Sequence, residues 1–116
     1  KLNAKSQKQV VSLIKESLVG KKRALEQYSV LLTDNDNPSL YDFKESKVGN
    51  PSEQFEFDGN LFSAASLNYS TGLLFLKKNI TYLEKKTYLE IVGGFGSLGE
   101  ILNKKINNFK YITFSI

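Results

Sequence analysis

The residues of this chain best placed for chemistry form one glycine-rich turn, Gly93-Gly94-Phe95-Gly96-Ser97. Such a turn ahead of a helix can cradle a phosphate, because the first N–H groups of the helix point at the ligand and its dipole favours negative charge. Two marks of a phosphate loop are absent. No lysine precedes the serine as a Walker motif requires, and the turn does not read as G-x-G-x-x-G in the βαβ context that fingerprint needs. Small residues also let a strand turn sharply into a helix, which is a sufficient structural reason for them. Other candidates are weaker. Glu84, Glu90 and Glu100 are scattered, Glu100 reads as occupied by capping, and no pair has the spacing of an acid/base couple. Asp34, Asp36 and Asp42 are spaced like part of a calcium loop, but the glycine and the terminal glutamate of an EF-hand are missing.

The chain contains no His and no Cys. Without His the commonest general base and metal ligand is gone, and His-based triads are impossible. Without Cys there are no disulfides, thiolate zinc sites or thiol nucleophiles. No catalytic, cofactor-binding or metal-ligating residue is therefore assigned, and a non-catalytic chain is expected.

With 116 residues, 41% of them hydrophobic, the chain has room for one packed domain. A domain this small buries only about two-thirds of its unfolded surface, so oligomerisation would help it. Met is absent even at position 1, which reads as a fragment with a membrane anchor or signal segment expected before Lys1. No apolar run approaches the ~20 residues of a transmembrane helix. The longest, Leu73 to Leu76, suits a strand. The net charge is +4, with Lys1, Lys5, Lys8, Lys15, Lys21, Lys22 and Arg23 crowded at the start and acids gathered in the middle. A basic helix can bind nucleic acid or anionic lipid. A solvated helix face is the simpler reading.

The elements that would position these residues follow from periodicity. Ser6 to about Thr33 reads as one amphipathic helix, with Val11, Ile14, Leu18, Leu25, Tyr28 and Leu32 on the a and d positions of a single heptad register. Lys21 interrupts one d position and Gly20 weakens the helix. Asp34 to Pro38 stops it. At ~1.5 Å per residue the helix is roughly 40 Å long, too long for a small module to cover, so part of its stripe is expected to meet another chain. These six residues are the expected interaction residues, and dimerisation through the helix is the expected outcome. Residues 35–52 read as a polar linker anchored by Leu40, Tyr41 and Phe43. Residues 53–116 read as alternating elements: a strand at Gln54 to Asp58; a helix at Asn60 to Thr71 with Gly72 as C-cap; a strand at Leu73 to Ile80; a strand at Thr87 to Gly93 with Glu90 outward; a helix opened by a Ser97–Glu100 capping box; and a strand at Lys110 to Ile116 with Ile112, Phe114 and Ile116 inward. The order β-α-β-β-α-β is that of a ferredoxin-like module with four antiparallel strands. The expected fold is α+β: a long coiled-coil helix over 1–34, the linker, and a ferredoxin-like module over 53–116.

The segment Tyr88 to Leu102, Tyr-Leu-Glu-Ile-Val-Gly-Gly-Phe-Gly-Ser-Leu-Gly-Glu-Ile-Leu, with Asn108 to Ile116 after it, resembles the C-terminal module of PilO-type proteins of the type IV pilus inner-membrane alignment complex. It is similar also to PilN and to GspM and GspL of type II secretion. The resemblance covers roughly the last 45 residues at motif level and the whole chain in layout. It implies a non-catalytic scaffold without cofactor, held on the periplasmic side of the inner membrane by an anchor before Lys1. Its partners would be a second copy, a PilN-like protein or other pilus-platform proteins, with the membrane touched only through that anchor and no nucleic acid bound. Two alternatives share the element order. An ACT-type regulatory domain would bind a small metabolite near Gly96 to Leu98. An RNA-binding domain would stack bases on outward Tyr88 and Tyr111, but Glu90 on that face would repel phosphate.

Overall fold

The computed structural model describes residues 3–35, 39–47, 53–80, 83–91 and 96–114. The chain is α+β and begins with a long helix, α1 (Ala4–Leu31). Asn3 caps it, accepting a hydrogen bond from the Ser6 N–H at 2.8 Å. It ends just before Asp34, as the run of turn formers predicts. Among its described side chains, only those of the last third are packed. Ala24, Tyr28 and Leu31, spaced four and three residues apart, are its buried side chains. Tyr28 is thus corrected as an interaction residue. It is 3% exposed and stacks on Phe57 with ring centroids 4.8 Å apart. The other five, Val11, Ile14, Leu18, Leu25 and Leu32, are exposed.

After α1 come β1 (Gln54–Phe57), β2 (Asn60–Ser63), α2 (Ala64–Asn79), β3 (Thr87–Ile91), α3 (Ser97–Lys105) and β4 (Lys110–Phe114). The expected order is corrected at two places. Asn60 to Ser63 is a strand, paired antiparallel with β1 through the two-residue turn Asp58-Gly59. Both turn residues have positive φ, 52° and 82°, the conformation of a primed hairpin turn, for which Asp-Gly is the preferred sequence. Leu73 to Ile80 is not a strand. Ser66, Leu67, Ser70, Leu73 and Leu74 are buried at one helical spacing, so the apolar run continues α2 and Gly72 lies inside it. The strands form two separate two-stranded sheets, β1–β2 antiparallel and β3–β4 parallel. The described residues therefore do not form the four-stranded antiparallel sheet of a ferredoxin-like module.

The start of α2 carries the capping box, Ser63 with Ser66, in place of the one expected at Ser97. Glu45, buried, lies against it and accepts from the Ser63 N–H at 3.0 Å, the Ser63 hydroxyl at 2.9 Å and Gln54 Nε2 at 2.9 Å. A carboxylate there complements the helix dipole. Phe43 to Glu45 run beside β2, and Leu40 and Phe43 are fully in the core, so the expected anchors of this stretch hold it down. At the other end, Asp34 and Lys77 form a buried ion pair of 2.8 Å that ties the end of α1 to α2.

The core joins Ala24, Tyr28 and Leu31 to Leu40, Phe43, Phe55, Phe62, Leu67, Leu73, Leu74, Leu83, Ile101, Leu102 and Ile106. Within it the Ser70 hydroxyl is the one buried side-chain polar atom without a hydrogen-bond partner among the described residues. Ser70→Ala is expected to leave stability unchanged or raise it by up to about 1 kcal/mol, read as the midpoint of urea unfolding.

Candidate functional site

The glycine turn lies where a parallel pair of strands is joined by a helix. β3 runs into the turn, α3 follows, and β4 returns beside β3 with Leu89 opposite Ile112 and Ile91 opposite Phe114. This is a βαβ unit, so the context missing from the sequence reading is present. Within it Gly94, Gly96 and Gly99 stand at the spacing G-x-G-x-x-G. Gly93, Gly94 and Phe95 lie outside the described residues; Gly96 and Gly99 do not.

The two described glycines occupy positions that favour glycine for different reasons. Gly96 sits at φ 78°, ψ 20°, left-handed backbone that favours glycine, and is the N-cap residue of α3 without offering a capping side chain. Ser97 and Glu100 make no capping box. The Glu100 carboxylate turns instead to the Ser46 N–H at 2.9 Å, the Ser46 hydroxyl at 3.0 Å and Lys104 at 2.7 Å. Burial would raise its pKa, but the Lys104 and Ser46 hydrogen bonds outweigh this and hold it below the usual carboxylate range. Gly99 is where α3 meets β4. A Cβ there would stand 2.9 Å from Cε2 of Tyr111. The third glycine of such motifs serves this close helix–strand packing.

A polar cluster joins α2, β3 and β4 on the face of the sheet opposite to the one expected for Glu90. Glu90 points inward and is buried. It accepts hydrogen bonds from Tyr69 of α2 and from Tyr111 of β4, the latter at 2.5 Å. The hydrogen bond to Glu90, with burial added, pushes Tyr69 up to about 12. Burial first, then the bond to Glu90, raises Tyr111. Tyr88 also packs inward, edge-on to Phe109, so neither Tyr88 nor Tyr111 offers a free stacking face. The opposite face of the sheet carries Leu89, Ile91, Ile112 and Phe114, all exposed, with Ile91 at 71%. The expected inward alternation of Ile112 and Phe114 is therefore reversed.

Tyr69→Phe is expected to cost about 1.5–3 kcal/mol at neutral pH, since it removes a hydrogen bond to a carboxylate. The pH dependence has a definite sign. The folded pKa, about 12, lies above the ordinary value of 10.0. The contribution of Tyr69 is then full below pH ~10 and lost as pH rises toward ~12. Urea titrations across that interval should show the parent chain losing stability more steeply than Tyr69→Phe.

Among the described residues no three His, Cys, Asp or Glu side chains come together as a metal site. No family model, curated protein or solved structure matches the chain.

Proposed function

We propose that the turn between β3 and α3 binds the phosphate or adenosine portion of a nucleotide-bearing cofactor. The observation that carries this reading is the parallel β3–α3–β4 unit with Gly96 in left-handed backbone and Gly99 pressed onto Tyr111. In sheets built from such units the ligand lies at the carboxyl ends of the strands, against the helix N-terminus. The α3 N-terminus stands there with no side chain capping it. The acid that dinucleotide sites place about 20 residues on, at the end of the second strand, is not among Thr113, Phe114, Ser115 and Ile116. The reading accordingly covers the glycine turn and not a ribose contact. Thermal unfolding with NAD+, NADP+, FAD and S-adenosylmethionine, each supplied separately, tests it. A ligand at a hundred times its Kd stabilises the fold by about 2.7 kcal/mol. Absence of any shift at millimolar concentration with all four would end the proposal.

A second reading, the non-catalytic scaffold of a pilus or secretion alignment complex, is favoured by α1. Five of the six heptad residues stand exposed on a helix that outruns its module. In that reading the stripe pairs with a second copy or a PilN-like partner on the periplasmic side of the inner membrane. Sedimentation of the intact chain tests it, and a strict monomer at high micromolar concentration counts against it. No described helix is long and apolar enough to cross a membrane.

A further inference from the structure

We propose that the projecting part of α1 lies on an anionic membrane surface. The proposal is independent of the cofactor reading and competes with the scaffold reading for the same stripe of α1.

From Ala4 to Arg23 no described side chain of α1 is buried. At 1.5 Å per residue that stretch is about 30 Å long. Most helical stability in proteins comes from packing an amphipathic face, which the described side chains of this stretch do not do within the chain, and Gly20 weakens it further. It therefore needs an environment, and its two faces specify one. At 100° per residue, Leu13, Val10, Ile14, Leu18 and Val11 fall within an arc of about 160°. All five are exposed, Leu18 at 62%. Lys22, Lys15, Lys8, Lys5 and Arg23 follow along the next arc. The segregation is partial: Val19 lies among the lysines, while Ser6, Gln7, Ser17 and Lys21 fall within the apolar arc. A lysine there can lay its stem along apolar surface and lift its head into the aqueous layer. The first 25 residues carry seven basic side chains and one acid, Glu16. An apolar stripe flanked by cations on a helix of low overall hydropathy is the pattern of a helix lying in a bilayer interface, where anionic headgroups complement the lysines.

Charge disfavours the other occupants. In a two-stranded coil Lys21 would sit on the seam at a d position, with Lys15 and Lys22 flanking it and no acid at the facing positions. Nucleic acid would engage the basic arc and leave the apolar stripe in water.

The test is co-sedimentation of the intact chain with vesicles of phosphatidylcholine alone or with about 30 mol% phosphatidylglycerol. Binding to the anionic vesicles should be at least about tenfold tighter and fall with added salt. Ile14→Glu with Leu18→Glu changes two exposed positions, so the melting temperature should hold while binding falls at least about tenfold. Lys8→Glu with Lys15→Glu should lose binding likewise. Equal binding to both vesicles would overturn the proposal. So would undiminished binding by the Ile14/Leu18 variant, which would mark a bare polyanion site of the kind nucleic acid uses. A stable dimer of the intact chain that ignores vesicles would overturn it as well.

Discussion

Replacing Asp34 with alanine is expected to remove about 3–5 kcal/mol, a large part of the 5–15 kcal/mol that holds a domain of this size together. Asp34 is 4% exposed and takes the Lys77 ammonium on both oxygens, at 2.8 and 3.0 Å. It also accepts the Leu40 N–H at 3.2 Å. Loss of the carboxylate leaves the Lys77 charge in a site where its side chain is only 10% exposed. The cost is that of breaking an ion pair shielded from water together with the Leu40 hydrogen bond. Asp34→Asn combined with Lys77→Met should therefore recover most of the loss, because Asn still accepts from Leu40 and no charge remains buried. Urea unfolding of the two single variants and the double variant completes the cycle. A double variant as unstable as Asp34→Ala would refute this account.

Gly99→Val is the second large effect. Its Cβ would press on the Tyr111 ring at 2.9 Å, and that ring is held in place by its hydroxyl bond to Glu90. Overpacking of this kind costs about 1–3 kcal/mol. Relief requires α3 to move off β4, which shifts the turn ahead of it. If the turn binds a cofactor, the Kd should rise at least about tenfold, well beyond what the stability change alone produces. Gly72→Ala is the control. Gly72 lies inside α2 with nothing within 4 Å of an added Cβ, so it should gain about 0.5–1 kcal/mol and leave ligand binding untouched.

Much of the helical structure was legible in order of residues. The 3.6-residue spacing through α1 and its stop before Asp34 needed no tertiary information, and neither did the stripe of α3. The hairpin at Asp58-Gly59 was legible too, since Asp-Gly between apolar strands announces a primed turn, but the helix read from Asn60 displaced it. The run Leu73 to Leu76 is ambiguous, because four consecutive apolar residues suit a strand or a helix equally; only Leu73 and Leu74 of them are buried. The helix capped at Ser63 decided it. The glycine spacing Gly94-x-Gly96-x-x-Gly99 was also in plain view. What it lacked was the direction of the strand after α3.

The sequence by itself determined which chemistries are closed to this chain, through the absence of His and Cys, and where its local periodic elements lie. Helical and strand periods are set by neighbours a few residues apart, so they can be read along the chain. Only the tertiary structure decided that β3 and β4 run parallel, that Glu90 faces Tyr69 and Tyr111, and that Leu89, Ile91, Ile112 and Phe114 face outward. A strand alternates in the same way whichever side is covered, and nothing in that alternation says which face meets α2 and α3. Tyr69 lies 21 residues from Glu90, and Glu90 21 from Tyr111. Their convergence builds a buried polar cluster joining α2, β3 and β4 that no local pattern along the chain announces.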